Sequence, residues 1–178
     1  FWLAMIATVG VLLFGAIEAV LFVVVLALLR FVRLAARPKV EILGELAGNA
    51  GYQSIERHPA AASPPGLVLF RYNGPIVFFS APHFKKAVRK AAADAGPDLK
   101  WFVIDLLPVS MIDATGLFAI RDEFDALRSR GIVVAAAGRD TEWADRAARR
   151  DLSGVLAGIR FFPPLRLPEI AYGAETRA

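Results

Sequence analysis

The chain contains no cysteine, which excludes a disulfide framework, a thiolate nucleophile and a zinc–thiolate site. That absence fits a reducing compartment. Histidine is nearly as scarce: His58 and His83 are too few and too isolated for a His-rich metal site. No Gly-x-x-x-x-Gly-Lys-[Ser/Thr] phosphate loop, Gly-x-Ser-x-Gly elbow or His-Glu-x-x-His pair occurs. The reading is therefore not an enzyme, with no catalytic residue, metal or cofactor assigned. Charge is the other scarcity, and it is local: among residues 1–29 only Glu18 is charged.

The 178 residues are 56% hydrophobic, with a mean hydropathy of +0.49, high for a soluble domain, where about half of the residues are apolar. A net charge of +4 and a pI near 9.8 would ordinarily suggest nucleic acid. However, four of the 21 basic residues, Arg30, Arg33, Arg37 and Lys39, form a collar just after the apolar run. Setting the collar and Glu18 aside leaves 17 basic and 16 acidic residues over positions 40–178, a net +1. The basicity is a collar beside an apolar segment, and nucleic acid is excluded as a partner.

The apolar end is not a signal peptide, because its positive charges follow the run instead of preceding it. One helix over 1–31 would be about 45 Å long at ~1.5 Å per residue, more than the ~30 Å hydrocarbon core. Gly15-Ala16-Ile17-Glu18 is the expected break, giving segments over 1–14 and 16–31, the first shorter than a full span. Glu18 is read as lying at the interfacial apex between them, in preference to an intramembrane functional carboxylate. The collar Arg30, Arg33, Arg37 and Lys39 is the juxtamembrane anchor, and by the positive-inside rule residues after about 37 are cytoplasmic. The expected organisation is terminal transmembrane segments over 1–36, a juxtamembrane linker with a first strand region over 37–65, and the rest of a cytoplasmic domain over 66–178. The chain opens with Phe inside an apolar run, which reads as the tail of a longer polypeptide.

Beyond the collar, Tyr52 to Glu56 is a strand candidate within a Gly/Pro-rich stretch. Leu67 to Tyr72 and Pro75 to Phe79, joined by Asn73-Gly74, predict a β-hairpin. Phe84, Val88, Ala91 and Ala95 recur at helical spacing, with Lys85, Lys86, Arg89 and Lys90 on the other faces. Strands are expected over 101–106, 132–137 and 159–162. Helices are expected along the Leu117, Ile120, Phe124, Leu127 stripe, over 141–157, and near the C-terminus. Such alternation predicts an α/β fold with a mixed sheet, at least partly parallel, and flanking helices. Most of Phe70, Tyr72, Phe78, Phe79, Phe161 and Phe162 are expected in its core.

The segment from Asp105 to Gly116 carries the chemistry. Asp113 is placed to cap the following helix by accepting from first-turn amides. Thr115 and Gly116 then lie in that turn, where N–H groups and the helix dipole favour an anion, so the Thr115 hydroxyl could carry or contact a phosphate. A purely structural account, with Asp113 as a cap and Gly116 permitting close helix–sheet packing, needs no ligand. Asp105 and Asp113 could also form a carboxylate pair.

Here the chain resembles a known family. Ile104-Asp105-Leu106 followed by Ile112-Asp113-Ala114-Thr115-Gly116 is similar to the signature of STAS domains, named for sulfate transporters and anti-sigma-factor antagonists. Residues 36–44, Tyr52, Ile55-Glu56-Arg57-His58-Pro59, residues 66–81 and Gly15-Ala16-Ile17-Glu18 resemble the membrane-attached branch. The whole is similar to the C-terminal end of a sulfate permease (SulP) family anion transporter. In the antagonist branch the signature is Asp-Ser-Ser/Thr-Gly with the second hydroxyl phosphorylated. Thr115 matches that position, while Ala114 replaces the preceding serine.

The resemblance implies a fragment of a secondary anion transporter in the inner or plasma membrane, whose STAS domain regulates, assembles or supports the transport core. Implied partners are the lipid membrane, an upstream transmembrane transport domain of the same polypeptide and a second copy in a homodimer. A nucleotide or an acidic protein partner is a further expectation, the latter for the basic face of the Lys85 helix. Substrate residues would lie upstream of Phe1. The alternative is a membrane-tethered STAS sensor for a nucleotide or protein, without transport activity.

Overall fold

The computed structural model describes residues 1–46, 51–138, 159–162 and 172. They fall into two compact units, Phe1–Arg37 and Pro38–Ala178.

The first unit is a helical hairpin of α1 (Trp2–Phe14) and α2 (Ala16–Ala35). Gly15 breaks the helix where expected, at φ 100°, a left-handed conformation that glycine adopts without a Cβ penalty. The helices approach closely at Gly10, where an added Cβ would stand 3.1 Å from the Ala19 Cβ. Val20, Leu21, Phe22, Val24, Val25, Leu28 and Leu29 are all exposed in this unit. An exposed surface this apolar is characteristic of a helix that other apolar groups cover.

The expected membrane spans are seen as two apolar helices, and no helix among the described residues is long and apolar enough to cross a membrane. The 13 residues of α1 extend only about 20 Å. The 20 residues of α2 carry Glu18 near the start and Arg30 and Arg33 near the end. The uncharged stretch between them covers about half of a hydrocarbon core.

The second unit is built on a six-stranded mixed sheet. Its strands are β1 (Lys39–Glu45), β2 (Tyr52–Ser54), β3 (Leu67–Asn73), β4 (Trp101–Asp105), β5 (Val133–Ala137) and β6 (Arg160–Phe162), in the order β2-β1-β3-β4-β5-β6. β1 is antiparallel to β2 and β3, while β3, β4, β5 and β6 run parallel. Crossover helices join two of the parallel pairs: α3 (Ala81–Asp94) between β3 and β4, and α4 (Ala114–Arg128) between β4 and β5.

Both helices pack on one face of the sheet. There Phe70, Phe84, Phe102, Ile104, Ile120 and Phe124 are closed off from solvent. Phe84 sets its ring edge against both Phe70 and Tyr72. The other face carries Leu43, Leu67, Leu69, Trp101, Val103 and Ala135, with Tyr172 edge-on to Trp101. The Tyr172 hydroxyl donates to the Pro65 carbonyl. Strands buried on both faces explain the unbroken apolar runs of the sequence.

One expectation is corrected. The Asn73-Gly74 hairpin does not form, because β1 and β4 already occupy the two edges of β3. Residues 75–80 instead make turns held by Ser80, whose Oγ donates to the Pro75 carbonyl at 2.7 Å and accepts from the Val77 N–H at 3.0 Å. Residues 37–65, expected as a linker and first strand region, hold β1, which begins at Lys39 directly after Pro38, and β2, which falls within the Tyr52 to Glu56 strand candidate. The expected helices over 141–157 and near the C-terminus lie outside the described residues, Tyr172 apart.

Candidate functional site: the loop and first turn of α4

The loop after β4 and the first turn of α4 lie at the C-terminal edge of the parallel strands, the usual location of sites in α/β sheets. Asp113 is the N-cap, with extended backbone (φ −94°, ψ −178°). Its carboxylate uses both oxygens. Oδ1 accepts from the Gly116 N–H at 2.7 Å, and Oδ2 accepts from the Phe78 N–H at 2.9 Å. The second contact joins the loop before α3 to the loop before α4. A parallel bridge between Ile76 and Ile112 and the Ile76 N–H donating to the Met111 carbonyl at 2.9 Å complete the join.

Gly116 is buried in this join. A Cβ there would stand 1.9 Å from the Ile76 carbonyl oxygen, so close approach and not a special φ requires glycine. Thr115, beside it, is exposed in the first turn. The amides that would greet an anion are partly used already: Gly116 donates to the Asp113 carboxylate, and Leu117 to the Asp113 carbonyl at 2.9 Å. Asp113 supplies the negative charge that the helix dipole favours.

Asp105 is fully buried at the end of β4. Its Oδ2 accepts from Arg71 Nε at 2.7 Å and its Oδ1 from the Leu107 N–H at 3.0 Å. Asp105 and Asp113 therefore have separate partners and are not joined as a carboxylate pair. Arg71 stands directly opposite Asp105 in the β3–β4 register. Sequence reasoning missed it, although two apolar runs ending in opposite charges were a readable signal.

A second polar cluster, also missed, surrounds Glu41 of β1. Glu41 is buried and ion-paired to Arg57 at 2.7 Å and Lys39 at 3.3 Å, while Asn73 Nδ2 donates to it at 2.9 Å. Burial pushes its carboxyl up, but the hydrogen bonds from Asn73 and Lys39 and the charges of Arg57 and Lys39 outweigh it and leave the pKa lowered. Lys39, expected in the membrane collar, is thus engaged within the sheet domain. Arg30 and Arg33 lie in α2, and Arg37 is exposed just after it.

Glu18 occupies the first turn of α2, where the helix dipole favours a carboxylate. Its side chain folds back over Gly15, and it lines a groove of about 640 Å³ with Met5, Ile6, Val9, Gly10, Ala19 and Phe22.

The basic face expected on α3 is largely neutralised within the domain. Lys85 pairs with Asp122 at 2.9 Å, Lys90 with Asp94 at 2.5 Å, and Arg89 grips the buried Glu123 carboxylate with two nitrogens, at 2.7 and 2.9 Å. The Lys85 hydrogen bond leads in holding Asp122 below its ordinary pKa, and Glu123 raises that of Arg89. Phe78, expected in the core, is 68% exposed.

A mixed sheet entered through an antiparallel β1, with helices on one face and an Asp-x-Thr-Gly first turn at its parallel edge, defines a STAS-type domain. The STAS domain family model matches residues 58–166, and the chain belongs to that family. A probable sulfate transporter of Mycobacterium tuberculosis is 34% identical over 135 residues, covering 76% of this chain and 24% of that protein. High affinity sulfate transporter 2 of Stylosanthes hamata is 22% identical, over 93% of this chain and 26% of its own length. The chain spans about a quarter of the length of these relatives. Among solved structures, the murine Solute Carrier 26 family member A9 anion transporter matches 98% of this chain and 28% of its own, at TM-score 0.77 and 15% identity. The SulP transporter STAS domain of Vibrio cholerae matches 69% of this chain and 93% of its own, at TM-score 0.51 and 18% identity.

Proposed function

We propose that the chain is the C-terminal part of a sulfate-type secondary anion transporter. In this reading α1 and α2 are its last membrane-inserted segments, and residues from Pro38 onward form its cytoplasmic STAS domain. The observation that carries the reading is the joint order of an apolar helical hairpin, a basic collar and a STAS sheet. Likeness to the murine anion transporter extends along nearly all of this order. Neither helix meets the requirement for a span alone, and in this reading the hairpin enters the membrane as a pair, with Arg30 and Arg33 reaching to the headgroups. The STAS domain supports and regulates the transport core and contributes to a homodimer.

The test is radiolabelled sulfate uptake by the complete gene product in cells lacking their own sulfate uptake. Saturable uptake that is lost on truncation at Pro38, at equal membrane abundance, is expected. Unchanged uptake after truncation would remove the supporting role, and no uptake of sulfate or another inorganic anion would overturn the transporter reading.

A further inference from the structure

Two loops of the sheet domain are unusual in what they leave out. Residues 74–80 (Gly-Pro-Ile-Val-Phe-Phe-Ser) and 106–112 (Leu-Leu-Pro-Val-Ser-Met-Ile) contain no charged residue, although surface connections are ordinarily polar. They lie side by side, joined by the Ile76–Ile112 bridge and by Ile76 donating to Met111. Outward they present Phe78, 68% exposed, Leu107, 52%, and Met111, 51%, with Phe79 packed edge-on to Phe78. Phe118, on the second turn of α4, is also exposed and has the Arg121 guanidinium 4.9 Å above its ring. Single exposed apolar residues are ordinary, but a group of them on one edge marks an interaction surface. The adjacent carboxylate, Asp113, is turned inward to Phe78 and Gly116 and puts no free acid on this edge.

The chain also enters the domain at this edge. Pro38 lies against Gly74, where a Cβ would stand 2.7 Å from the Pro38 Cβ, and the Pro38 carbonyl meets His83 Nε2 at 3.0 Å. Lys39 pairs with Asn73, the last residue of β3. The helix α2 ends at Ala35 and β1 begins at Lys39, so the connection between them is three residues. Arg37 and Lys39 flank the point of attachment, and both are exposed.

We propose that this edge is a lipid-docking surface: Phe78, Leu107 and Met111 enter the headgroup–acyl boundary of the bilayer in which α1 and α2 are anchored, and Arg37 meets anionic headgroups, while Lys39 stays paired with Glu41. The proposal rests on the membrane-anchored reading above. Apolar side chains bordered by basic ones are the chemistry of interfacial binding, and the short attachment keeps the edge at high effective concentration near the membrane. A bilayer fits better than a protein partner. Protein interfaces carry about one hydrogen bond per 100–200 Å², whereas the polar side chains of these loops are two serines, Ser80, engaged internally with Pro75 and Val77, and the exposed Ser110. Acyl chains require no such bonds.

The absence of cysteine makes the test direct. Single cysteines replacing Phe78, Leu107, Val24 of α2, and Asp98 at the opposite end of the strands are labelled with an environment-sensitive fluorophore in the full chain. The labelled chain is then placed in phosphatidylcholine–phosphatidylglycerol vesicles containing shallow spin-labelled lipid. Quenching at positions 24, 78 and 107, with position 98 unaffected, is expected. Phe78→Asp should lower quenching at position 107 by about twofold or more, while Phe78→Trp preserves it. Quenching at 24 with 78 and 107 as unaffected as 98 overturns the docking surface and leaves the anchored reading standing. No quenching at 24 overturns the anchoring, and the docking with it. Blue-shifted emission at 78 and 107 without lipid quenching assigns the edge to a protein contact and overturns the lipid assignment.

Discussion

Replacing Gly116 by alanine tests how the STAS loop is built. The new Cβ would lie 1.9 Å from the Ile76 carbonyl oxygen and 3.0 Å from Ile112 Cγ2. Real Cβ contacts essentially never fall below 3.0 Å, so backbone on one side must retreat by about 1 Å. Ile76 cannot retreat freely, because its N–H donates to Met111 and it bridges Ile112. Overpacking of this kind costs about 1–3 kcal/mol, and a lost buried hydrogen bond about 1 kcal/mol more. Alanine's helix propensity returns about 1 kcal/mol. The net expectation is a destabilisation of about 1–3 kcal/mol, a sizeable share of the ~5–15 kcal/mol typical of a domain. Urea denaturation of residues 38–178, followed by tryptophan fluorescence, measures it. The matched control is Ala114→Gly, at an exposed first-turn position, expected to cost less than about 1 kcal/mol. A Gly116→Ala midpoint within about 0.5 kcal/mol of the parent would refute the close-approach argument.

Further outcomes follow from the same contacts. Asp113→Ala removes an N-cap and leaves the Phe78 N–H without its acceptor, so a loss of about 1–3 kcal/mol is expected in the same denaturation assay, with Asp113→Asn milder. Arg71→Leu strands the fully buried Asp105 carboxylate, which should cost about 3–5 kcal/mol, and Arg71→Leu with Asp105→Leu should recover part of it. Glu41 titrates below its ordinary 4.5, so the stability it contributes is present above that pH and is lost as pH falls through the lowered value; Glu41→Gln should flatten the stability profile in that acid range. Tyr72 is pushed up from 10.0 to about 12 by burial, opposed in part by the Ser80 side chain, so its contribution is complete below pH 10 and declines toward pH 12. Tyr72→Phe should remove that alkaline decline in a pH series of urea midpoints.

What was legible in the sequence was the information carried by local pattern. The Gly15 break, the apolar stripes of α3 and α4, the apolar runs of β4 and β5 and the Asp113 cap all follow from chemistry within a few residues: a missing Cβ, a 3.6-residue period, a carboxylate ahead of a helix. The ordered set of short motifs also pointed to the family before any contact was known. The tertiary structure decided which elements are neighbours. Asn73-Gly74 has the chemistry of a hairpin, yet β1 and β4 take both edges of β3, and a strand has only two. Phe78 and Phe70 have the same side chain; one is exposed and the other sealed, because one lies in a loop at the sheet edge and the other between sheet and helices. The basic residues of α3 read as a solvated or partner-binding face, and only the fold showed α4 setting Asp122 and Glu123 against Lys85 and Arg89. Arg71 and Asp105, 34 positions apart, became partners only through a parallel register. Periodicity and capping are local and can be read along the chain. Pairing, burial of charge and the composition of an edge depend on residues distant in sequence, and only folding brings those together.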